Sequence, residues 1–167
     1  MTWLIFALMT VAFWGLYGVF IHSGVMAFEP KTNPNARFQA FLFVGLAYFL
    51  TAVLAPLVLM LSSGETWSFL GNAKGVSWSL FAGLVGAGGA FCVLLALATG
   101  GKERVPVIMS IVFAGAPIVN AVVAFAMHPP RNEAGQVDFG TIHPMFYAGI
   151  GLAAFGGLLV TYFKPAS

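Results

Sequence analysis

The chain is 167 residues long, 60% hydrophobic and 7% charged, with a net charge of +2. Soluble domains carry roughly a quarter charged residues, so this much apolar surface calls for a bilayer rather than water as its main solvent. The small positive charge excludes a basic nucleic-acid surface, the single Cys92 excludes an internal disulfide, and the length leaves room for one membrane domain with no separate soluble one.

No charged side chain occurs before Glu29, and the run Trp3–Ile21 is long enough to cross a hydrocarbon core of roughly 30 Å. A secretory leader would want a basic start, and the first cation is Lys31, so this run is expected to stay as a membrane span. Thr10, Trp14 and Tyr17 fall on one helical face, and Trp3 suits an interfacial anchor. The segment from Phe28 to Arg37 holds Pro30, Pro34, Asn33 and Asn35 and reads as a loop. A second helix is expected over Phe38–Leu61, with Tyr48 and Thr51 as its polar members and a bend at Pro56. The polar connection from Ser62 to Ser77 carries Glu65 and Lys74, with Trp67 and Trp78 as interface aromatics.

The third and fourth helices, expected over Trp78–Ala98 and Val105–Met127, form the centre of the chain. They are joined by the charged loop Gly100-Gly101-Lys102-Glu103-Arg104. Ala82, Gly86 and Ala90 make a four-residue ridge of small side chains on the third helix, a pattern that lets membrane helices approach closely. Pro106 suits a first helical turn. Pro117 removes a backbone donor in mid-span, bends the fourth helix and frees a carbonyl in the preceding turn. The loop from His128 to His143 follows, then a fifth helix over Pro144–Phe163, whose Gly149, Ala153 and Gly157 form a second ridge. The expected fold is therefore an all-α, polytopic membrane bundle of five transmembrane helices.

Five spans put the ends of the chain on opposite sides. Lys31, Arg37, Lys102, Arg104 and Lys164 share one side, and Lys74 and Arg131 the other. Loop cations favour the cytoplasmic face, so the N-terminus is expected outside and the C-terminus inside.

No Asp, Glu, Lys or Arg falls within the five expected spans. Embedded ionisable groups usually mark proton relays and sites for charged substrates, so exchange driven by a membrane-buried carboxylate is disfavoured. His22, His128 and His143 each stand at a helix end without metal-binding spacing, and no metal site or cofactor is expected. Gly86-Ala87-Gly88-Gly89 lies inside an apolar span and reads as helix packing rather than a phosphate loop. Without a nucleophile elbow, P-loop or dinucleotide motif, an enzyme is not expected. The candidate contacts for a solute are Trp14, Tyr17, Ser110 and Asn120, with Thr10 and Thr51 as further polar residues. Asn120 can serve as interhelical glue or as a solute contact, and Trp14 and Tyr17 as plain aromatic packing or as walls for a solute. Ser110 and Thr51 suit hydrogen bonds to their own helix backbone.

Phe13-Trp14-Gly15, the Gly-rich run from Gly83 to Ala98, Gly115-Ala116-Pro117 within Val105–Phe125, and GIGLAAFGGLLVTY over Gly149–Tyr162 together resemble the EamA-type members of the drug/metabolite transporter superfamily. The similarity covers most of the chain. Typical members carry ten helices as two inverted five-helix repeats, so the resemblance implies one repeat here and a second copy or a different partner to complete a transporting unit. The first loop and the loop from His128 to His143 are longer than in that family, and the Gly-Glu pair that often leads into the last helix is missing. An inverted homodimer needs both insertions, whereas the charge bias favours one, which leaves a parallel homodimer or a heteromeric assembly.

Two functions follow as expectations. One is a bacterial plasma-membrane protein that moves a small neutral or zwitterionic organic solute by alternating access, along a pathway between the first, third and fourth helices. The other is a non-transporting accessory subunit of a larger membrane complex, whose small-residue ridges are docking surfaces.

Overall fold

The computed structural model describes residues 2–64 and 67–163. Glu65 and Lys164, used above in placing loops and charges, lie outside these residues. The described chain is built from helices: α1 (Thr2–Ala27), α2 (Ala36–Phe49), a π-helical segment (Leu50–Leu54), α3 (Ala55–Ser62), α4 (Ala73–Gly100), α5 (Val105–Met127) and α6 (Pro144–Tyr162), with short 3-10 turns between them. The only extended pairing among the described residues is an isolated bridge between Arg131 and Val137. Five helical stretches are long and apolar enough to cross a membrane, with α2, the π segment and α3 forming one of them. At most 22% of the most apolar window of any span is buried inside the chain. A surface this apolar needs a bilayer or other helices as its solvent, which marks the chain as an integral membrane protein.

Several ends differ from expectation for identifiable reasons. α1 runs six residues beyond Ile21, because the polar His22 and Ser23 do not stop it: the Ser23 hydroxyl donates to the Val19 carbonyl at 2.9 Å. The helix stops where Glu29 takes a positive φ of 53°. α4 begins at Ala73 rather than Trp78, since Asn72 caps it by accepting from the Gly75 amide at 3.0 Å. At the other end of α4, Gly101 has φ of 76°, a conformation that a side chain would disfavour, and the backbone turns there into the charged loop.

The helix ahead of Pro56 widens into a π turn. Proline lacks the amide that would serve the carbonyl four residues back, and its ring crowds that carbonyl. Here the Ala55 amide donates five residues back, to the Leu50 carbonyl, and the helix resumes with Pro56 in its first turn. Pro117, by contrast, lies inside an uninterrupted α5.

The chain separates into two compact units, residues 1–102 and 103–167. In the first, α1, α2 and α4 pack on one another. The buried residues are Gly18, Ile21 and Val25 on α1, Ala36 and Ala40 on α2, and Ala90, Val93, Leu94 and Leu97 on α4. Each set follows helical spacing. All three lie toward the same end of the unit, where α1 finishes, α2 starts and α4 finishes. Phe41 and Phe91 (ring centroids 5.5 Å apart) and Phe38 and Phe91 (6.4 Å) tie α2 to α4 there. The opposite end is open: along α4 from Ala73 to Gly89 only Val76 is less than exposed.

The second unit is an antiparallel pair, α5 and α6. Phe125 meets Phe146 at the loop end, with centroids 6.0 Å apart. Further along, α6 comes close at Gly157, where an added Cβ would stand 2.5 Å from the Ala114 Cβ and 3.6 Å from the Ser110 carbonyl oxygen. The connecting loop is held by its own polar groups. Arg131 donates to the Gly135 carbonyl at 2.7 Å, Asp138 accepts from the Gly140 amide at 2.8 Å, and His143 Nδ1 caps α6 by accepting from the Met145 amide at 3.2 Å.

Candidate functional site

The sequence-derived candidates divide between the two units. Trp14 and Tyr17 belong to the first, and their rings form a tilted pair with centroids 5.6 Å apart. Both are half-buried, and the Tyr17 hydroxyl is buried without a hydrogen-bond partner among the described residues. A buried hydroxyl without a partner is costly. The Tyr17 side chain lines a cavity of about 320 Å³ in the seam between α1 and α2, otherwise walled by apolar residues such as Phe20, Phe28, Phe43 and Val44. Thr10 and Thr51 play no such part, since their hydroxyls donate to the Phe6 and Ala47 carbonyls of their own helices, each at 2.9 Å.

Ser110 and Asn120 belong to the second unit. Ser110 stands beside the close approach of α6 at Gly157, so packing engages that part of α5. Asn120 is exposed, one turn past Pro117. In a bilayer an exposed amide seeks partners from outside its own helix.

The ridges are used unevenly. Ala90 is buried and Gly157 is half-buried, whereas Ala82, Gly86, Gly149 and Ala153 are exposed. An added Cβ on Gly86 or Gly149 would meet nothing within 4 Å.

Two further cavities were not anticipated from the sequence. One, of about 350 Å³, lies at the packed end of the first unit and is lined by the end of α1, the loop after it, the start of α2 and the end of α4. Its polar members include His22, Asn33 and Arg37. Arg37 is half-buried, its guanidinium lies 5.0 Å from the centre of the Phe38 ring, and its Nε is buried without a hydrogen-bond partner among the described residues. Ile21 lines both this cavity and the one at Tyr17. The other cavity, of about 830 Å³, is mainly apolar and lies at the open end, between Ala52 and Val53 of the π segment, Phe69 and Leu70, and the cap residue Asn72 with α4 from Gly75 to Leu84.

His22 and Arg37 were visible in the sequence only as a helix-end histidine and a topology-setting charge. The signal that could have joined them is the two-proline loop between them, which turns the start of α2 back beside the end of α1. Among the described residues no cluster of His, Cys, Asp or Glu has the geometry to hold a metal ion.

No family model matches the chain, and comparison with curated proteins and with solved structures likewise gives no match. The functional reading therefore rests on the geometry above.

Proposed function

We propose that this chain is a transporter-like membrane protein of the EamA type, one five-helix repeat that works as an oligomer and moves a small neutral or zwitterionic organic solute. The observation that carries the reading is the Trp14–Tyr17 pair, with Tyr17 lining a seam cavity of about 320 Å³. Binding sites in membrane helices combine an apolar, aromatic wall with a few polar groups that orient the ligand. Tyr17 and Trp14 supply an aromatic wall in the first unit, and Asn120 is a separate polar candidate in the second. Ser110, the remaining candidate, lies on α5 beside its close approach to α6.

The π segment supports the same reading. Widened turns break the regular hydrogen-bond ladder and recur at functional sites, and interrupted helices are a common element of transporters. The exposed Ala82–Gly86 stretch of α4 offers a face on which a second copy would complete the paired repeats. The loop cations support an N-terminus outside and a cytoplasmic C-terminus, and the family resemblance supports a bacterial plasma membrane.

The test is uptake into proteoliposomes across a panel of radiolabelled amino acids, amines and polyols, with native mass spectrometry on the same preparation. Trp14→Ala and Asn120→Ala are expected to lower uptake of the transported solute about tenfold or more, consistent with the loss of one oriented contact each. A homodimer by mass accompanies this. Unchanged uptake in both variants would end the site assignment, and one copy of the chain held among unrelated subunits would turn the reading to an accessory subunit.

A further inference from the structure

The two seam cavities differ in chemistry and meet at one residue. The first is rimmed by cationic and titratable side chains, Arg37 and His22, and the second is apolar apart from Tyr17. Ile21 borders both, so the two cavities are neighbours beside the last turns of α1.

The other polar side chain around the first cavity, Asn33, is already engaged. The Asn33 side-chain amide donates to the Gln39 Oε1 at 2.7 Å and the Phe28 carbonyl at 3.3 Å, while its oxygen accepts from the Asn35 amide at 3.0 Å. Pro30 and Pro34 carry no N–H. The end of α1, whose carbonyls would otherwise attract the arginine, is served by its own backbone: Gly24 and Val25 accept from the Phe28 amide, and Met26 accepts from Glu29. Arg37 is thus left with its guanidinium near the Phe38 ring and with no hydrogen bond or ion pair among the described residues, its Nε being itself enclosed by the chain. A guanidinium in that state is suited to an oxyanion, which accepts charge-assisted hydrogen bonds from its N–H edge. The His22 ring can donate a second.

We propose that the α1–α2 seam binds an anionic amphiphile, with its phosphate or carboxylate at Arg37 and His22 and its apolar chain passing Ile21 into the cavity at Tyr17. Basic pockets between membrane helices at the headgroup level take anionic lipid heads in this way. The occupant is either a phospholipid of the surrounding bilayer or a water-soluble amphiphile, and both present the same chemistry to the seam. Binding here is independent of solute movement, so this site and the transport reading stand or fall by separate measurements.

The experiment is native mass spectrometry of the protein in a non-ionic detergent, titrated with phosphatidylglycerol, phosphatidylcholine, dodecyl phosphate, butyl phosphate and inorganic phosphate. Phosphatidylglycerol and dodecyl phosphate are expected to bind with similar strength. Phosphatidylcholine, butyl phosphate and inorganic phosphate should each bind about tenfold more weakly or worse. Arg37→Gln is expected to lower binding of the first two about tenfold or more, the loss of one charge-assisted hydrogen-bonding group, and Arg37→Lys should restore part of it. Phospholipid that co-purifies with the wild type and is lost from Arg37→Gln identifies a bilayer source. Dodecyl phosphate binding without any retained phospholipid identifies a soluble one. Equal retention of phosphatidylglycerol and phosphatidylcholine, or butyl phosphate bound as well as dodecyl phosphate, would overturn the proposal. Those two comparisons use the wild type alone and decide the matter even if Arg37→Gln fails to fold. Where circular dichroism shows that variant helical, unchanged phosphatidylglycerol binding overturns it as well.

Discussion

The ridges on α4 and α6 carry the same kind of residue at the same four-residue interval, yet one has found its partner and the other has not. On α6, Gly157 lies so near α5 that a methyl group there would collide with Ala114. On α4, Gly86 faces open space and Ala82 is exposed, and only Ala90, at the packed end of the first unit, is buried. Even within one ridge the use is partial, since Gly149 has as much room as Gly86. Small residues at helical spacing therefore state that a close approach is possible. Whether it occurs depends on what lies opposite, and in a membrane the opposite surface can belong to lipid, to the same chain or to a second one.

Three substitutions would break or sharpen this contrast. The largest effect is expected at Gly157. Gly157→Ala forces α5 and α6 apart and should destabilise the pair by about 1–3 kcal/mol, the usual range for overpacking. The measurement is thermal melting in detergent, and the control is Gly157→Ala combined with Ala114→Gly, which should return most of the loss. If the single variant melts with the wild type, the close approach does not exist. Next comes Gly86→Leu. It should leave the melting of the isolated chain unchanged while lowering the dimer fraction in native mass spectra several-fold, about 1 kcal/mol at the interface. A dimer that survives intact removes this stretch of α4 from any interface. The smallest effect is expected at Gly149→Ala, which fills empty space and removes a flexible residue from a helix interior, so a gain of up to about 1 kcal/mol should appear in the same melts. A loss of stability there would mean that the whole α6 ridge is packed.

The helical plan was legible because the apolar runs are long and the breaks between them are crowded with proline, asparagine and charge. α5 could be read to the residue, since Arg104 and His128 bound an unbroken apolar stretch. The ends of α1 and α4 were less legible. His22 and Ser23 look like a boundary until Ser23 satisfies itself on the Val19 carbonyl, and the Asn72 cap is a single side chain amid several plausible turn residues. Of the candidate site, Trp14 and Tyr17 could be paired by helical spacing alone, because both sit on one helix. The cavity at Arg37 could not, because it joins residues near positions 21–37 to residues near 94–98, and no local pattern records that meeting. Exposure was equally hidden: a ridge looks the same in sequence whether it is filled or empty.

The π segment alters how the whole second span should be counted. Its Ala55 to Leu50 hydrogen bond closes a ring one residue longer than an α turn. One residue corresponds to about 100° around an α-helix, so the stripes of α2 and α3 are out of phase by roughly that much. A wheel drawn through Ala36–Ser62 as a single α-helix assigns the residues after Leu54 to the wrong direction. Deleting one residue from Leu50–Leu54 would rejoin the two phases and swing the Pro56 end by about a third of a turn. That single deletion would redirect every side chain beyond it while leaving the composition of the span almost untouched.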